Sequence, residues 1–121
     1  MADIFKACMA RRAQLEVTIA DMEAAGGISR SVIYNVMSPK KGASLRSLER
    51  LAKLLFVPVG VLVEGDVAGY VAQPVPPRNW LSTIRQNRER YGFGAQKPVE
   101  WGIFAQEVFA AGDDDASGGA Q

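Results

Sequence analysis

The sequence contains no histidine and only one cysteine, Cys8. A disulfide needs two cysteines, so these 121 residues cannot form one among themselves, and we expect a reduced, cytoplasmic setting. Without histidine, nucleophile–histidine catalysis is excluded, and a zinc site would have to consist almost entirely of carboxylates. No acid–base pair, metal-binding cluster or phosphate-binding loop rises above chance. We therefore expect no enzymatic activity, no cofactor and no bound metal.

Long hydrophobic runs are also absent. The apolar run over residues 54–63 contains Pro58 and Gly60, and it is far shorter than the roughly 20 residues that a membrane-spanning helix needs. Near the N-terminus, Asp3 and Lys6 interrupt the apolar residues before the hydrophobic region of a secretory signal could develop. We therefore expect an intracellular protein that has no membrane partner.

The net charge is only +1, which is too low for binding to nucleic acid by bulk attraction. The charges are unevenly distributed, however. Residues 29–53 carry one anion, Glu49, and six cations, namely Arg30, Lys40, Lys41, Arg46, Arg50 and Lys53. A basic stretch of this kind is often only a solvated face. Whether this basic stretch binds a partner therefore depends on the secondary structure in which its residues lie.

Apolar periodicity predicts an all-α fold that begins with five helices. The first covers residues 3–14, and the second starts at Thr18, where Asp21 completes a capping box. Gly26 and Gly27 end this second helix and permit a sharp turn. Ser29 caps a third helix that ends at residue 37, and Ser44 caps a fourth. A short fifth helix over residues 58–63 follows. The predicted core positions are Ile28, Leu45, Leu48, Leu51 and Leu55.

The third helix has two chemically different faces. Ile33, Val36 and Met37 share an apolar face, whereas the opposite face carries Arg30, Ser31, Tyr34 and Asn35. Arginine forms bidentate hydrogen bonds with guanine, and asparagine does so with adenine. For an isolated helix, a polar face most often just meets water. Here it follows two capped helix starts and a glycine turn, and this order favours a recognition helix that reads bases in the DNA major groove.

This order of signals resembles a known family. The segment IADMEAAGGISRSVIYNVMSPKKGASLRSLERLAKLLFVPVGVLVEG is similar to the Cro/phage-repressor-like (XRE-type) helix-turn-helix regulators, and the resemblance covers residues 4–66. It implies base contacts by Arg30, Ser31, Tyr34 and Asn35. It also implies DNA-backbone contacts by Thr18, Ser29, Ser38, Lys40, Lys41 and Arg46. The second helix is nearly one turn longer than the family pattern.

Beyond the predicted helix-turn-helix domain of residues 1–66, the composition changes. Residues 67–78 contain three prolines and no helical period, so we expect an extended connector. Residues 79–111 form an aromatic-rich helical segment; one predicted helix covers residues 78–91 and another covers residues 99–111. This segment has three alternatives: packing back on the domain, dimerisation, which we favour, or binding another protein. The acidic, glycine-rich residues 112–121 are expected to be a disordered tail.

These features together predict a sequence-specific regulator of transcription that binds double-stranded DNA. A repressor acting as a homodimer is favoured, because one short module covers little more than a half-site. The resemblance implies a bacterial or phage-encoded protein that is cytoplasmic and associated with the nucleoid when bound. Two alternatives stay open. One is an antitoxin that autoregulates its operon together with a toxin, and the other is a protein-binding module without DNA affinity.

Overall fold

In the computed structural model, which describes residues 4–38, 44–64, 67–94 and 96–119, every element of regular secondary structure is an α-helix. The predicted all-α class is confirmed for these residues. Five helices lie where the sequence predicts them, namely α1 (Ile4–Leu15), α2 (Ile19–Gly26), α3 (Arg30–Met37), α4 (Leu45–Leu54) and α5 (Val59–Glu64). Three more follow, namely α6 (Val67–Ala72), α7 (Trp80–Gln86) and α8 (Trp101–Gly119). No helix within the described ranges has the length and apolar character needed to cross a bilayer.

Side-chain caps set the starts of α2, α3 and α4. The hydroxyl of Thr18 accepts a hydrogen bond from the backbone N–H of Asp21 at 3.1 Å, and the Asp21 carboxylate accepts one from the N–H of Thr18 at 2.9 Å. Ser29 accepts from the N–H of Val32 at 3.3 Å, and Ser44 caps α4 in the same way. A side-chain cap stabilises a helix by about 1 kcal/mol. The three predicted caps are therefore confirmed.

A left-handed glycine makes the turn between α2 and α3. Gly27 has φ 66° and ψ 29°, and its N–H donates to the carbonyl of Glu23 at 2.8 Å. The guanidinium of Arg88 covers the same helix end, where Nε donates to the Ala25 carbonyl at 3.0 Å and Nη2 donates to that of Ala24. A positive charge at a helix C-terminus is favourable because it opposes the helix dipole.

One hydrophobic core joins the two halves of the chain. It contains Met22, Ile33 and Leu51 from the first helices, together with Trp80 and Phe104 from the last two. α6 packs against α1, and α7 packs against α2. The segment 79–111 therefore packs back on the N-terminal helices, which is the first of its three alternatives.

Phe56 is the main aromatic contact between the halves. It follows α4 in a left-handed conformation with φ 49°. Its ring centroid lies 5.3 Å from that of Trp101, 5.8 Å from that of Phe104 and 5.3 Å from that of Phe109. The buried aromatics of α8 are thus covered within a single chain.

Arg11 is fully buried at the end of α1 and uses all five N–H groups of its guanidinium. One bond goes to the side chain of Gln14 at 2.7 Å. The other four go to carbonyl oxygens, namely those of Leu55 (2.8 Å), Phe56 (2.9 Å), Gln73 (3.1 Å) and Pro74 (2.7 Å). Burial lowers the pKa of Arg11. The side chain fastens α1 to the end of α4 and to residues 73–74.

The residues between α7 and α8 are held by a polar cluster. Glu107 of α8 accepts hydrogen bonds from Nε of Arg90 at 2.9 Å and from the hydroxyl of Tyr91 at 2.6 Å. Hydrogen bonds from Arg90 and then from Tyr91 lower the pKa of Glu107 to about 2. Burial, followed by the bond to Glu107, raises the pKa of Tyr91.

The predicted extended connector and disordered tail differ from the structure over part of their length. The first half of the predicted connector is helix α6, Val67–Ala72, which lies against α1. In the predicted tail, residues 112–119 continue α8, and residues 120–121 lie outside the described chain. Extending an existing helix costs far less than nucleating a new one. Gly112 also allows α8 to lie close to Pro77, since a Cβ at position 112 would be only 2.2 Å from the Pro77 side chain.

Two smaller predictions also need correction. Leu45 is 60% exposed and does not belong to the core, because it lies in the first turn of α4, beyond the cover of the other helices. The helix predicted over residues 78–91 covers only Trp80–Gln86. Its continuation is replaced by turns in which Arg88 and Arg90 bind α2 and α8 instead.

Candidate nucleic-acid interface

The two faces of α3 are separated as the sequence predicts. Ile33 and Met37 are 1% exposed and Val36 is 9% exposed, so this face is fixed in the core. The four predicted base-contacting residues all lie on the exposed face, namely Arg30, Ser31, Tyr34 and Asn35. The structure thus places these side chains together on one accessible helix surface.

Arg30 is paired with Glu23, a partner that the sequence analysis missed. Its Nε lies 3.2 Å from Oε1 of Glu23, and its backbone N–H donates to Oε2 at 3.1 Å. Glu23 therefore supports the first turn of α3 from α2. The two side chains are 60% and 32% exposed, and an exposed pair of this kind contributes about 1 kcal/mol or less. Exchanging this partner for a guanine edge is energetically inexpensive.

Tyr34 has an aromatic neighbour on α1. The rings of Phe5 and Tyr34 stack with centroids 6.3 Å apart and an interplanar angle of 25°. Phe5 is 40% exposed, and Tyr34 and Val32 are 38% and 41% exposed. Phe5 therefore lies at the rim of the α3 surface. The stacking restricts the Tyr34 ring beside the polar face.

The predicted backbone-contacting hydroxyls lie at helix ends. Thr18 and Ser29 cap α2 and α3, and each uses its hydroxyl oxygen as an acceptor. A hydroxyl that accepts a cap bond keeps its hydrogen for donation to another acceptor, such as a phosphate oxygen. Ser38 is the half-buried C-cap of α3, and its N–H donates to the Asn35 carbonyl at 3.2 Å. Lys40 and Lys41 lie outside the described residues.

Three cations of the basic stretch face the C-terminal half of the chain. Arg46 is exposed, but its guanidinium donates to the Gly94 carbonyl. Arg50 donates to the Gly92 carbonyl at 2.7 Å, and Lys53 is only 5% exposed. The basic stretch therefore divides between the surface of α3 and a second region beside residues 92–98. The sequence carried no signal for this division, because these glycine partners are more than 40 residues away.

The described part of the chain contains no group of three histidine, cysteine, aspartate or glutamate side chains suited to a metal ion. Comparisons with protein-family models, characterised proteins and solved structures found no match. A functional assignment therefore depends on the chemistry of the surfaces themselves.

Proposed function

We propose that this chain is a sequence-specific, double-stranded-DNA-binding regulator of transcription of the Cro/phage-repressor-like type. α2, the Gly27 turn and α3 act as its helix-turn-helix, within a five-helix domain formed by α1 to α5. The observation that carries the proposal is the exposed face of α3, on which Arg30, Ser31, Tyr34 and Asn35 lie together while the opposite face is fixed in the core.

The chemistry of this face suits direct base recognition. A major groove about 12 Å wide accepts a helix whose diameter is about 10–12 Å. Arg30, in the first turn, pairs with O6 and N7 of guanine after leaving Glu23, and Asn35, in the second turn, pairs with adenine. Ser31 and Tyr34 contact neighbouring bases. Each bidentate pair contributes about 1–3 kcal/mol of discrimination.

Backbone contacts hold the helix in register. In this proposal, Thr18, Ser29 and Ser38 donate to phosphates from helix ends, while Lys40 and Lys41 contribute charge. Arg46, which the sequence resemblance groups with these residues, is bound to the Gly94 carbonyl instead. Each lysine–phosphate contact releases about one counterion. Replacing both lysines with alanine should therefore reduce the slope of log affinity against log salt by about two.

A matched control for this salt experiment is Arg85→Ala, because Arg85 is exposed on α7 and is not part of the proposed surface. It should leave the slope unchanged. A slope that is the same in wild type and in the double lysine variant would remove both lysines from the interface.

A dimer that represses transcription by occupying an operator completes the proposal. One recognition helix covers one half-site, and paired half-sites lie about one DNA turn apart. Genome-wide footprinting tests this: recurring palindromic sites that overlap promoters are expected. Occupancy without any recurring motif would contradict specific regulation.

A protein-binding role for the same surface is the second candidate. It is favoured by the exposed apolar side chains of Phe5, Val32 and Tyr34, which lie on and beside the polar face. The two functions differ at low salt, where a DNA-binding protein retains measurable affinity even for non-specific duplexes. A complete loss of duplex affinity under these conditions would favour the protein-binding role.

A further inference from the structure

A second candidate site lies away from the exposed face of α3. A cleft of about 370 Å³ separates α4 from residues 92–98. We call it the basic cleft, because its lining includes one carboxylate, Glu49, and four cationic side chains, namely Arg46, Arg50, Lys53 and Lys97. An adjoining hollow of about 350 Å³ shares Glu49, Lys53, Lys97 and Pro98 with it. The lining of this hollow also includes the carboxylate of Glu100 and the apolar side chains of Val59 and Trp101. Cavities of this size match small-molecule sites.

Lys53 is the most informative residue of the basic cleft. It is 5% exposed, and within the described part of the chain its ammonium donates no hydrogen bond. Its nearest aromatic neighbour is Phe104, whose ring centroid lies 5.9 Å from Nζ. Burial lowers the pKa of Lys53, while Glu49 raises it and Arg50 lowers it further. Lys53 lines the cleft, and among the described residues no carboxylate accepts a hydrogen bond from its ammonium, so it is placed to pair with an anion that enters the cleft.

The surrounding cations are held in place by the opposite wall. Arg50 donates to the Gly92 carbonyl through Nε at 2.7 Å, and Arg46 donates to that of Gly94. A guanidinium has five N–H groups, so each of these side chains retains donors for a further acceptor. Burial and then the neighbouring Arg46 lower the pKa of Arg50. The like charges repel one another, and a bound anion would relieve this repulsion.

A glycine keeps the cleft open beside Lys53. Gly92 has φ 94°, and a Cβ at this position would lie 3.0 Å from Pro98 and 3.6 Å from Nζ of Lys53. A side chain there would both strain the backbone and crowd the ammonium. Gly92, which has no side chain, therefore leaves space for a ligand to approach Lys53.

We propose that the basic cleft binds a small organic anion, with its carboxylate or phosphate group on Lys53, Arg50 and Lys97 and its apolar body against Trp101. A small molecule suits the site better than a DNA phosphate does, because the central cation is buried between two walls. Phosphates of a rigid duplex are met by exposed cations. This inference does not depend on DNA binding by α3.

Thermal unfolding of the full chain tests the proposal with three probes, namely phenyl phosphate, benzoate and inorganic phosphate, at constant ionic strength set with potassium chloride. A bound anion raises the melting temperature progressively with its concentration. Wild-type protein should respond to at least one organic probe more strongly than to chloride. A larger response to phenyl phosphate assigns phosphate chemistry, and a larger response to benzoate assigns a carboxylate.

Lys53→Met should abolish the response, since it keeps much of the alkyl volume and removes the cation on which the anion binds. Lys97→Gln changes an exposed residue, so it tests the site even if the first variant folds poorly, and it should weaken the response. Arg85→Gln on α7 should respond as wild type does. Equal responses in wild type and both lysine variants would overturn the proposal.

Two other outcomes would also overturn it. One is the absence of any response of the wild-type protein to the organic probes. The other is a loss of duplex affinity in both lysine variants without any small-anion response, which would assign the cleft to DNA contact.

Discussion

Replacing Arg11 with methionine should strongly destabilise the protein. The substitution keeps much of the side-chain volume but removes all five donors, and the carbonyls of Leu55, Phe56, Gln73 and Pro74 lose the hydrogen bonds that they accept from this side chain. A buried carbonyl left without a partner costs about 1–3 kcal/mol. Removing the buried charge offsets several kcal/mol of this loss in stability, because the guanidinium no longer has to be desolvated on folding.

The balance favours a net loss of about 3 kcal/mol, since the two buried acceptors, Leu55 and Phe56, lose their hydrogen bonds together with two part-buried ones. Total stability of a small domain is about 5–15 kcal/mol, so a loss of this size is readily measured. The effect should extend to the aromatic contacts of α8. Arg11 binds the carbonyls of Leu55 and Phe56. The left-handed conformation of Phe56, with φ 49°, directs its ring onto Trp101 and Phe104.

Urea unfolding followed by circular dichroism at 222 nm is the appropriate assay. The midpoint should fall by about 1 M or more at an ordinary m-value. Arg11→Lys should also destabilise, because a lysine ammonium has three donors and cannot reproduce the planar arrangement of a guanidinium. Arg85→Met, at an exposed position of α7, is the matched control and should change stability by about 0.5 kcal/mol or less. An Arg11→Met midpoint equal to that of the control would refute the reasoning.

Three further predictions concern the turn, the caps and acid stability. Thr18→Ala should lower the free energy of unfolding by about 1 kcal/mol through loss of the capping box, whereas Thr18→Ser should not; equal urea midpoints for the two would refute this. Gly27→Ala should destabilise by about 1–2 kcal/mol, because its φ is positive. Gly60→Ala, in a helix and with open space around the new methyl group, is the control and should be neutral or stabilising. The Glu107 pKa lies at about 2 in the folded chain against an ordinary 4.5, so its contribution is complete above pH 4.5 and is lost as the pH falls toward 2. Glu107→Gln should therefore flatten the pH dependence of the melting temperature in this range, and an unchanged acid limb would contradict the pairing.

Local signals explain why the N-terminal helices were predictable from sequence. Thr18, Ser29 and Ser44 each bind a backbone N–H three residues further on, so the residues that form a cap are adjacent in the chain. The N–H of Gly27 donates to the carbonyl of Glu23, which is only four residues earlier in the chain. The exposed face of α3 likewise follows from helical periodicity alone.

Contacts between distant residues explain what the sequence pattern did not predict. Arg11 looks like a surface cation near a helix end, yet it is buried because carbonyls from residues 55–74 surround it. Lys53 lies off the leucine stripe of α4, and the residues after α7 cover it. Helix α6 escaped detection because prolines dominate the composition of the segment that follows it. For Arg11 and Lys53 the decisive partners lie more than 12 residues away, where periodicity carries no information.

The most direct test of the central claim measures whether the exposed face of α3 distinguishes base sequences. A duplex is first selected from a random library with the wild-type protein, and its affinity is compared with that of a scrambled duplex by fluorescence anisotropy. Arg30→Ala and Asn35→Ala should each weaken binding to the selected duplex by about 1–3 kcal/mol, or roughly 5- to 150-fold, and leave the scrambled duplex nearly unaffected. Arg85→Ala should match wild type on both. Equal wild-type affinity for the two duplexes, or full retention of selectivity in both α3 variants, would contradict base recognition by α3.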